Sequence, residues 1–264
     1  MMKYIFLIIL FLFSISNGFA SAQPRFANYT LLEPQANRTP VYADYLDVSV
    51  RIHYGRISGS GTIIYYDNKN NTAFVASCGH LWDQNATRNQ CTIVSFYQNK
   101  IRRQAKSYTG RCLFYDNAAD VSLVIFKPDW KPSYFVIAPF DAEVGKTYVS
   151  TGCDHASEVA AYIVKISNKE KDGSLISIPG PRPGRSGGGL LQNSYYVGTC
   201  VRTSDESGNG YGIYVGLPAV REVYKKHGYG WLLSLRPYDF AQRIPIRSHT
   251  NPNKEYPKNW IVIP

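Results

Sequence analysis

The sequence contains no Cys-x-x-Cys pair, the ligand spacing on which structural zinc sites are usually built. It has few uninterrupted runs of helix-forming residues, while tyrosine alone reaches 21; that balance leans towards β structure. Beyond residue 22 no stretch is apolar enough to cross a bilayer. No sequence repeat links the first half to the second. Acidic residues are few, 19 against 29 lysines and arginines, which leaves a net charge of +10. The basic residues are scattered, with only short clusters such as Arg102-Arg103 and Lys225-Lys226. The charge therefore reads as a solvated surface, and no nucleic acid is expected as a partner.

What is present is enough for a packed core, since 44% of the 264 residues are hydrophobic and 18% charged. The N-terminus carries Lys3, then the apolar run from Tyr4 to Phe13, then Ala20-Ser21-Ala22. A positive start, a short apolar region and an A-x-A site predict a cleavable signal peptide over 1–22, with cleavage near Ala22. The protein is thus expected to be secreted or periplasmic, with no membrane span in the mature chain. Its five cysteines, Cys78, Cys91, Cys112, Cys153 and Cys200, could then form disulfides. Cys91 with Cys112 and Cys153 with Cys200 are the pairs suggested by neighbourhood, and the odd count leaves one thiol over.

Residues 23–40 have no periodicity and read as an extended leader. Six short β-like runs follow, at 47–54, 61–66, 73–77, 92–97, 105–114 and 121–126, separated by Asn- and Gly-rich turns. A proline-containing connector covers 128–139. Six more runs follow, at 147–151, 160–167, 174–178, 188–192, 195–202 and 210–216. Pro218 opens a helix that ends before Gly228, and 230–264 reads as a basic, proline-containing, extended tail. Twice six strands predict an all-β fold of two six-stranded antiparallel barrels, each closing its own edges, with a short C-terminal helix. The expected bounds are about 41–127 for the first barrel, 140–217 for the second and 218–228 for the helix.

Chemistry concentrates at three places. Pro-Gly-Arg-Ser-Gly-Gly-Gly-Leu-Leu, residues 183–191, surrounds Ser186 with glycines. Such a backbone can turn tightly and aim N–H groups at one point, which a serine nucleophile needs for its developing oxyanion. Gly184 and Ser186 would supply those N–H groups. Among the five histidines, His80 stands where the apolar run Ala-Phe-Val-Ala-Ser-Cys-Gly-His breaks, which suits a base at a barrel rim; His155 is the alternative, and His227 and His249 read as surface residues. Asp120 immediately precedes an apolar strand in Asp-Asn-Ala-Ala-Asp-Val-Ser-Leu-Val-Ile-Phe and could orient that base; Asp116 is the other carboxylate of the segment.

Taken together, AFVASCGHLW, ADVSLVIF and GRSGGGL, in that order, resemble the trypsin-like (chymotrypsin-fold) serine proteases over roughly residues 41–229. The resemblance implies Ser186 as nucleophile, His80 as general base and acid, Asp120 as its orienter, and Gly184 and Ser186 as oxyanion hole, in a cleft between two barrels. It implies a serine endopeptidase acting on protein or peptide substrates through an acyl-enzyme, with no cofactor and no metal. By the same resemblance Gly180, six residues before Ser186, is the floor of the substrate pocket, Val201, Arg202 and Thr203 are one wall, and Gly212 keeps it open. A one-residue shift would let Asp205 or Glu206 reach it. The sequence departs from the family at Arg185, where trypsin has the aspartate that pairs with a newly cut N-terminus, and at Cys78, which precedes the histidine instead of following it. The second reading is a non-catalytic binding protein on this fold that recognises a protein or polyanionic partner, motivated by Arg185 and the net charge.

Overall fold

The computed structural model describes residues 43–204 and 210–237. The expected signal peptide and leader (1–40), Asp205, Glu206, His249 and the tail beyond 237 lie outside the described residues. A five-residue helix, α1 (Ala43–Asp47), leads into the first barrel. The barrel strands are β1 (Ser49–Tyr54), β2 (Ile57–Asp67), β3 (Thr72–Ser77), β4 (Gln90–Gln98), β5 (Ile101–Asp116) and β6 (Val121–Phe126). They close in the order β1-β2-β3-β6-β5-β4, all antiparallel. Alternation does the sorting: in β1, Val50, Ile52 and Tyr54 face inward while Arg51 and His53 are half-buried on the other side. The inward set meets Ile63, Val75, Ile93 and Val124 in one apolar cluster.

β5 begins four residues earlier than its apolar content suggests. Gln98 pairs with Ile101, so Asn99 and Lys100 alone make the turn, both with positive φ (52° and 66°). That is a two-residue hairpin turn whose twist suits the flanking strands. It carries β5 into a polar stretch that no burial pattern marks.

The second barrel comprises β8 (Thr147–Cys153), β9 (Val159–Lys169), β10 (Leu175–Ile178), β11 (Gly189–Gln192), β12 (Tyr195–Thr203) and β13 (Gly212–Gly216). Their order is β11-β8-β9-β10-β13-β12, and β11 pairs with β12 to close the ring. A two-residue strand, β7 (Val136–Ile137), adds in parallel to β12. Helix α2 (Leu217–Lys226) buries Leu217, Val220, Val223 and Tyr224 on one face. The ring of Tyr224 meets that of Phe114 edge-on at 5.4 Å. A continuous core runs from Ile64, Phe114 and Leu123 of the first barrel to Leu190, Tyr196 and Tyr214 of the second. It therefore fixes how the two rims face each other.

The chain from residue 230 does not start as a loose tail. A 3-10 turn spans Gly230–Ser234 and buries Leu232. Trp231 stands edge-on to Tyr65 (5.2 Å) and Phe74 (5.6 Å). His227 is likewise not a surface residue: it is half-buried and stacks on Phe114 at 4.4 Å.

All five cysteines are free thiols, so neither Cys91–Cys112 nor Cys153–Cys200 is bonded. Each is at most 5% exposed. Cys112 instead donates its S–H to the Phe114 carbonyl at 3.2 Å. Burial pushes the thiols up, Cys91 to about 11 and Cys153 and Cys200 to about 12, so they stay protonated and unreactive. A thiol-reactive dye should therefore count no fast thiol in the native protein and all five after denaturation without reductant. A count of three or one in the denatured, unreduced protein would mean that disulfides form.

Candidate active site

His80 sits three residues past the end of β3. Two neighbours fix that stretch. Ser122 Oγ donates to the Cys78 carbonyl at 2.8 Å and accepts the Trp82 indole N–H at 2.9 Å. Gly79 fits where no side chain can: a Cβ there would lie 2.4 Å from the Asp116 carbonyl oxygen. This close approach brings the β3 end against the turn that carries Asp120, the residue immediately before β6.

The Asp120 carboxylate accepts the backbone N–H of Gly79 (2.7 Å) and of His80 (2.9 Å) and lies 2.9 Å from His80 Nδ1. With Nδ1–H donated to the carboxylate, Nε2 is left as the basic nitrogen. The His80 side chain is 42% exposed and that of Asp120 19%, so the ring is open to solvent and the carboxylate is the more buried partner. Burial alone would push the Asp120 carboxyl up, but its hydrogen bonds from His80 and Gly79 outweigh that and hold it below the usual carboxylate range. A depressed acid stabilises the fold above its unfolded pKa and loses that contribution as pH falls through the folded one. The stability difference between wild type and Asp120→Asn should shrink as pH falls below about 4. A difference that persists under acid would show that the carboxylate's charge is not what these bonds hold.

Asp116, the other carboxylate of the segment, turns away. It accepts the Ala119 N–H at 3.0 Å and pairs with Lys226 at 2.9 Å, tying this turn to α2. His155, the other candidate base, is exposed, and its backbone N–H is the group engaged, donating to the Pro183 carbonyl at 2.6 Å.

Ser186 lies in the loop between residues 183 and 188. The first barrel holds that loop through Ser60 on β2. Its N–H donates to the Ser186 carbonyl (2.7 Å) and its Oγ to the Gly184 carbonyl (3.0 Å). Gly184 and Gly187 both take positive φ, 89° and 86°, the left-handed region that glycine tolerates. At Gly187 a Cβ would stand 2.1 Å from the Ser60 carbonyl oxygen.

The two expected oxyanion donors are oriented by carbonyls on the far side of their own peptides. The Pro183 carbonyl accepts from His155 N–H, which aims the Gly184 N–H the opposite way. The Arg185 carbonyl accepts from Gly188 N–H at 2.8 Å, which does the same for Ser186 N–H. Among the described residues neither N–H has a hydrogen-bond partner. Two free donors thus lie at Ser186 and two residues before it.

The third link is open. Ser186 Oγ donates to the Val201 carbonyl at 3.0 Å, and His80 Nε2 lies 3.6 Å from Cys78 Sγ. Among the described residues no hydrogen bond joins Ser186 to His80. The structure thus brings His80 and Asp120 together and sets Ser186 beside the paired N–H groups, with both reactive atoms turned to other neighbours. Catalytic bonds are often made only when substrate arrives. Cys78, His80 and Asp120 place one ligand-type atom each within 4.8 Å of one another. The Asp120 carboxylate is already engaged by three donors, so this group is a hydrogen-bonded pair with a thiol beside it and not an open metal cage.

Arg185 overturns one motive of the binding-protein reading. It is 0% exposed and cannot present its charge to a polyanion. Nε donates to Asp154 at 2.8 Å, Nη1 to the Ser150 carbonyl at 2.8 Å, and the guanidinium lies 3.6 Å from the Tyr162 ring centre. Tyr162 hydroxyl completes the Asp154 carboxylate at 2.8 Å. Asp154 and Tyr162, which hold Arg185, lie outside every motif of the sequence, whereas Ser60 falls within Ser-Gly-Ser-Gly-Thr-Ile-Ile, residues 58–64. The one local signal was the run of small residues Ser58-Gly59-Ser60-Gly61, unusual inside a strand.

The paired closed barrels, with the His80–Asp120 pair and the Ser186 loop on adjoining elements, define the class: the chain has the two-barrel fold of the trypsin-like serine proteases. No protein-family model and no curated protein sequence matches it. Solved structures do. The inactive form of the Rv3671c protease is 20% identical over 74% of this chain and 96% of that one, with a TM-score of 0.57. Deg5 is 15% identical over 72% and 93%, also at 0.57. The serine endoprotease from Yersinia pestis is 15% identical over 74% and 68%, at 0.55. At these identities the likeness is one of fold.

Proposed function

We propose that this protein is an exported serine endopeptidase that hydrolyses peptide bonds through an acyl-enzyme, with Ser186, His80 and Asp120 as its triad. The observation that carries the reading is the His80–Asp120 pair, which leaves Nε2 as the basic nitrogen of a solvent-open ring. Ser186 Oγ swings off the Val201 carbonyl and attacks the substrate carbonyl carbon while Nε2 takes its proton. The C=O electrons move onto oxygen, and that oxyanion accepts the N–H groups of Gly184 and Ser186. The imidazolium, held by Asp120, returns the proton to the departing amine as the C–N bond breaks. Water then repeats the cycle on the acyl-enzyme and frees the acid. Export rests on residues 1–22 of the sequence.

A fluorophosphonate probe tests this reading, because it reacts with a serine only where base and oxyanion hole are assembled. Labelling of the full chain freed of residues 1–22, lost in His80→Ala, is expected. A folded protein that takes no label would leave the fold without the activity.

A further inference from the structure

Resting on the serine-protease reading, we infer that the enzyme cuts after residues with very short side chains: alanine, serine or glycine. If the acyl carbon sits on Ser186 Oγ and its oxygen between the Gly184 and Ser186 N–H groups, the side chain on the acyl side must lie along the second barrel. The first barrel is full there, because Leu81 and the Ser186 carbonyl crowd Gly59 to the point that a Cβ would meet them at 2.6 and 2.8 Å. The space left is the slot between residues 180–184 and the end of β12. β12 runs directly behind the nucleophile, with Val201 carbonyl 3.0 Å from Ser186 Oγ and Cys200 carbonyl 2.8 Å from Gly187 N.

That slot is closed at two levels. A Cβ on Gly212 would stand 2.3 Å from Cδ of Pro181 and 2.7 Å from Ser177 Oγ. The glycine expected to keep the pocket open therefore faces a proline ring. One level away, a Cβ on Gly180 would stand 2.9 Å from Thr203 Oγ1 and 2.9 Å from the Tyr211 carbonyl. Gly180 N–H also donates to the Gly210 carbonyl at 2.7 Å, which stitches floor to wall. Pro181 and Gly180 are both buried, and a proline ring has no rotamer that would swing it clear. Among the described residues the floor position is Gly180, which carries no carboxylate.

The test uses one fluorogenic peptide series that differs only in the residue before the cut, with Ala, Ser, Leu, Phe and Arg, run beside fluorophosphonate labelling of the same preparation. Alanine and serine should exceed leucine, phenylalanine and arginine by at least about tenfold in kcat/KM, the scale set by a methylene group in a closed pocket. Thr203→Gly and Pro181→Gly should each shift the Leu-to-Ala ratio upward by about tenfold; Thr203→Gly keeps the test alive should the loss of Pro181 unfold the loop. A wild type that takes the label yet cuts best after leucine, phenylalanine or arginine overturns the pocket alone. A preference for small residues that neither variant moves overturns the assignment to Pro181 and Thr203. A protein that neither labels nor cuts removes the protease reading, and this proposal with it.

Discussion

Replacing Ser186 with alanine should lower peptide hydrolysis by about a millionfold while leaving the fold in place. The expectation has two sides. On the stability side, Ser186 Oγ makes one hydrogen bond, to the Val201 carbonyl, and removing it costs about 1 kcal/mol or less. The loop around it is held by main-chain atoms that the substitution does not touch, namely Ser60 N–H on the Ser186 carbonyl and Gly187 N–H on the Cys200 carbonyl. On the chemical side, without the hydroxyl no acyl-enzyme forms. His80→Ala should fall by a similar factor, and the double variant should be no worse than either, because the two groups act in one step. Steady-state kinetics on a cleaved peptide, with urea midpoints for folding, read both sides. Hydrolysis that survives in purified, folded Ser186→Ala would refute the assignment of the nucleophile.

The open link between Ser186 and His80 has a chemical meaning under this reading. His80 is already in the tautomer that a base requires, fixed by Asp120. The donors at Gly184 and Ser186 are already free and aimed by the carbonyls opposite them. What remains is to turn Ser186 Oγ off the Val201 carbonyl and His80 Nε2 off the Cys78 thiol. The expensive part of the site, its main chain, is built before substrate arrives.

Much of this was legible in the chain because the signals are local. Strand count follows from alternation such as that of Val50, Ile52 and Tyr54, and from turn residues between apolar runs. His80 at a strand end and Asp120 at a strand start are readable as places, and their meeting follows once β3 and β6 pair, Ser77 opposite Ser122. The glycines around Ser186 announce a special backbone. What stayed hidden is non-local or lacks a burial pattern. The hairpin at Asn99 and Lys100 extends β5 into polar residues. β7 is two residues long, and its pairing with β12 rests on the connection's path. Arg185 read as a cation available to a binding partner because its own partner, Asp154, lies 31 positions away in a segment without a motif. Gly212 read as open space because the ring that fills it belongs to a different strand connection. A glycine tells that something comes close, and only the fold tells what.

Asp154→Asn should be the most damaging substitution outside the triad, at about 3–5 kcal/mol of stability. Arg185 is fully buried, and its charge persists: burial alone would lower its pKa, but Tyr162 and the Asp154 carboxylate more than reverse that. Removing the carboxylate leaves a cation with no counter-charge in the core of the second barrel, which is the costly half of breaking a buried pair. The damage should also reach the chemistry. Asp154 anchors the side chain of Arg185, the residue between the two expected oxyanion donors, and the next residue, His155, uses its N–H to aim the Gly184 peptide. If the 153–156 segment slips, a donor is lost, and one such donor is worth about 10²–10³ in kcat. At temperatures where Asp154→Asn is folded, kcat should therefore fall by that factor with KM little changed. Replacing both partners, Asp154→Ala with Arg185→Met, should recover most of the stability, since no charge is left buried, and should leave kcat low because the clamp is gone. Urea melts and steady-state kinetics on the three proteins separate the two effects. Recovery of kcat together with stability in the double variant would reduce the ion pair to a structural one, and an unchanged urea midpoint in Asp154→Asn would show that the pair is not buried as the geometry has it.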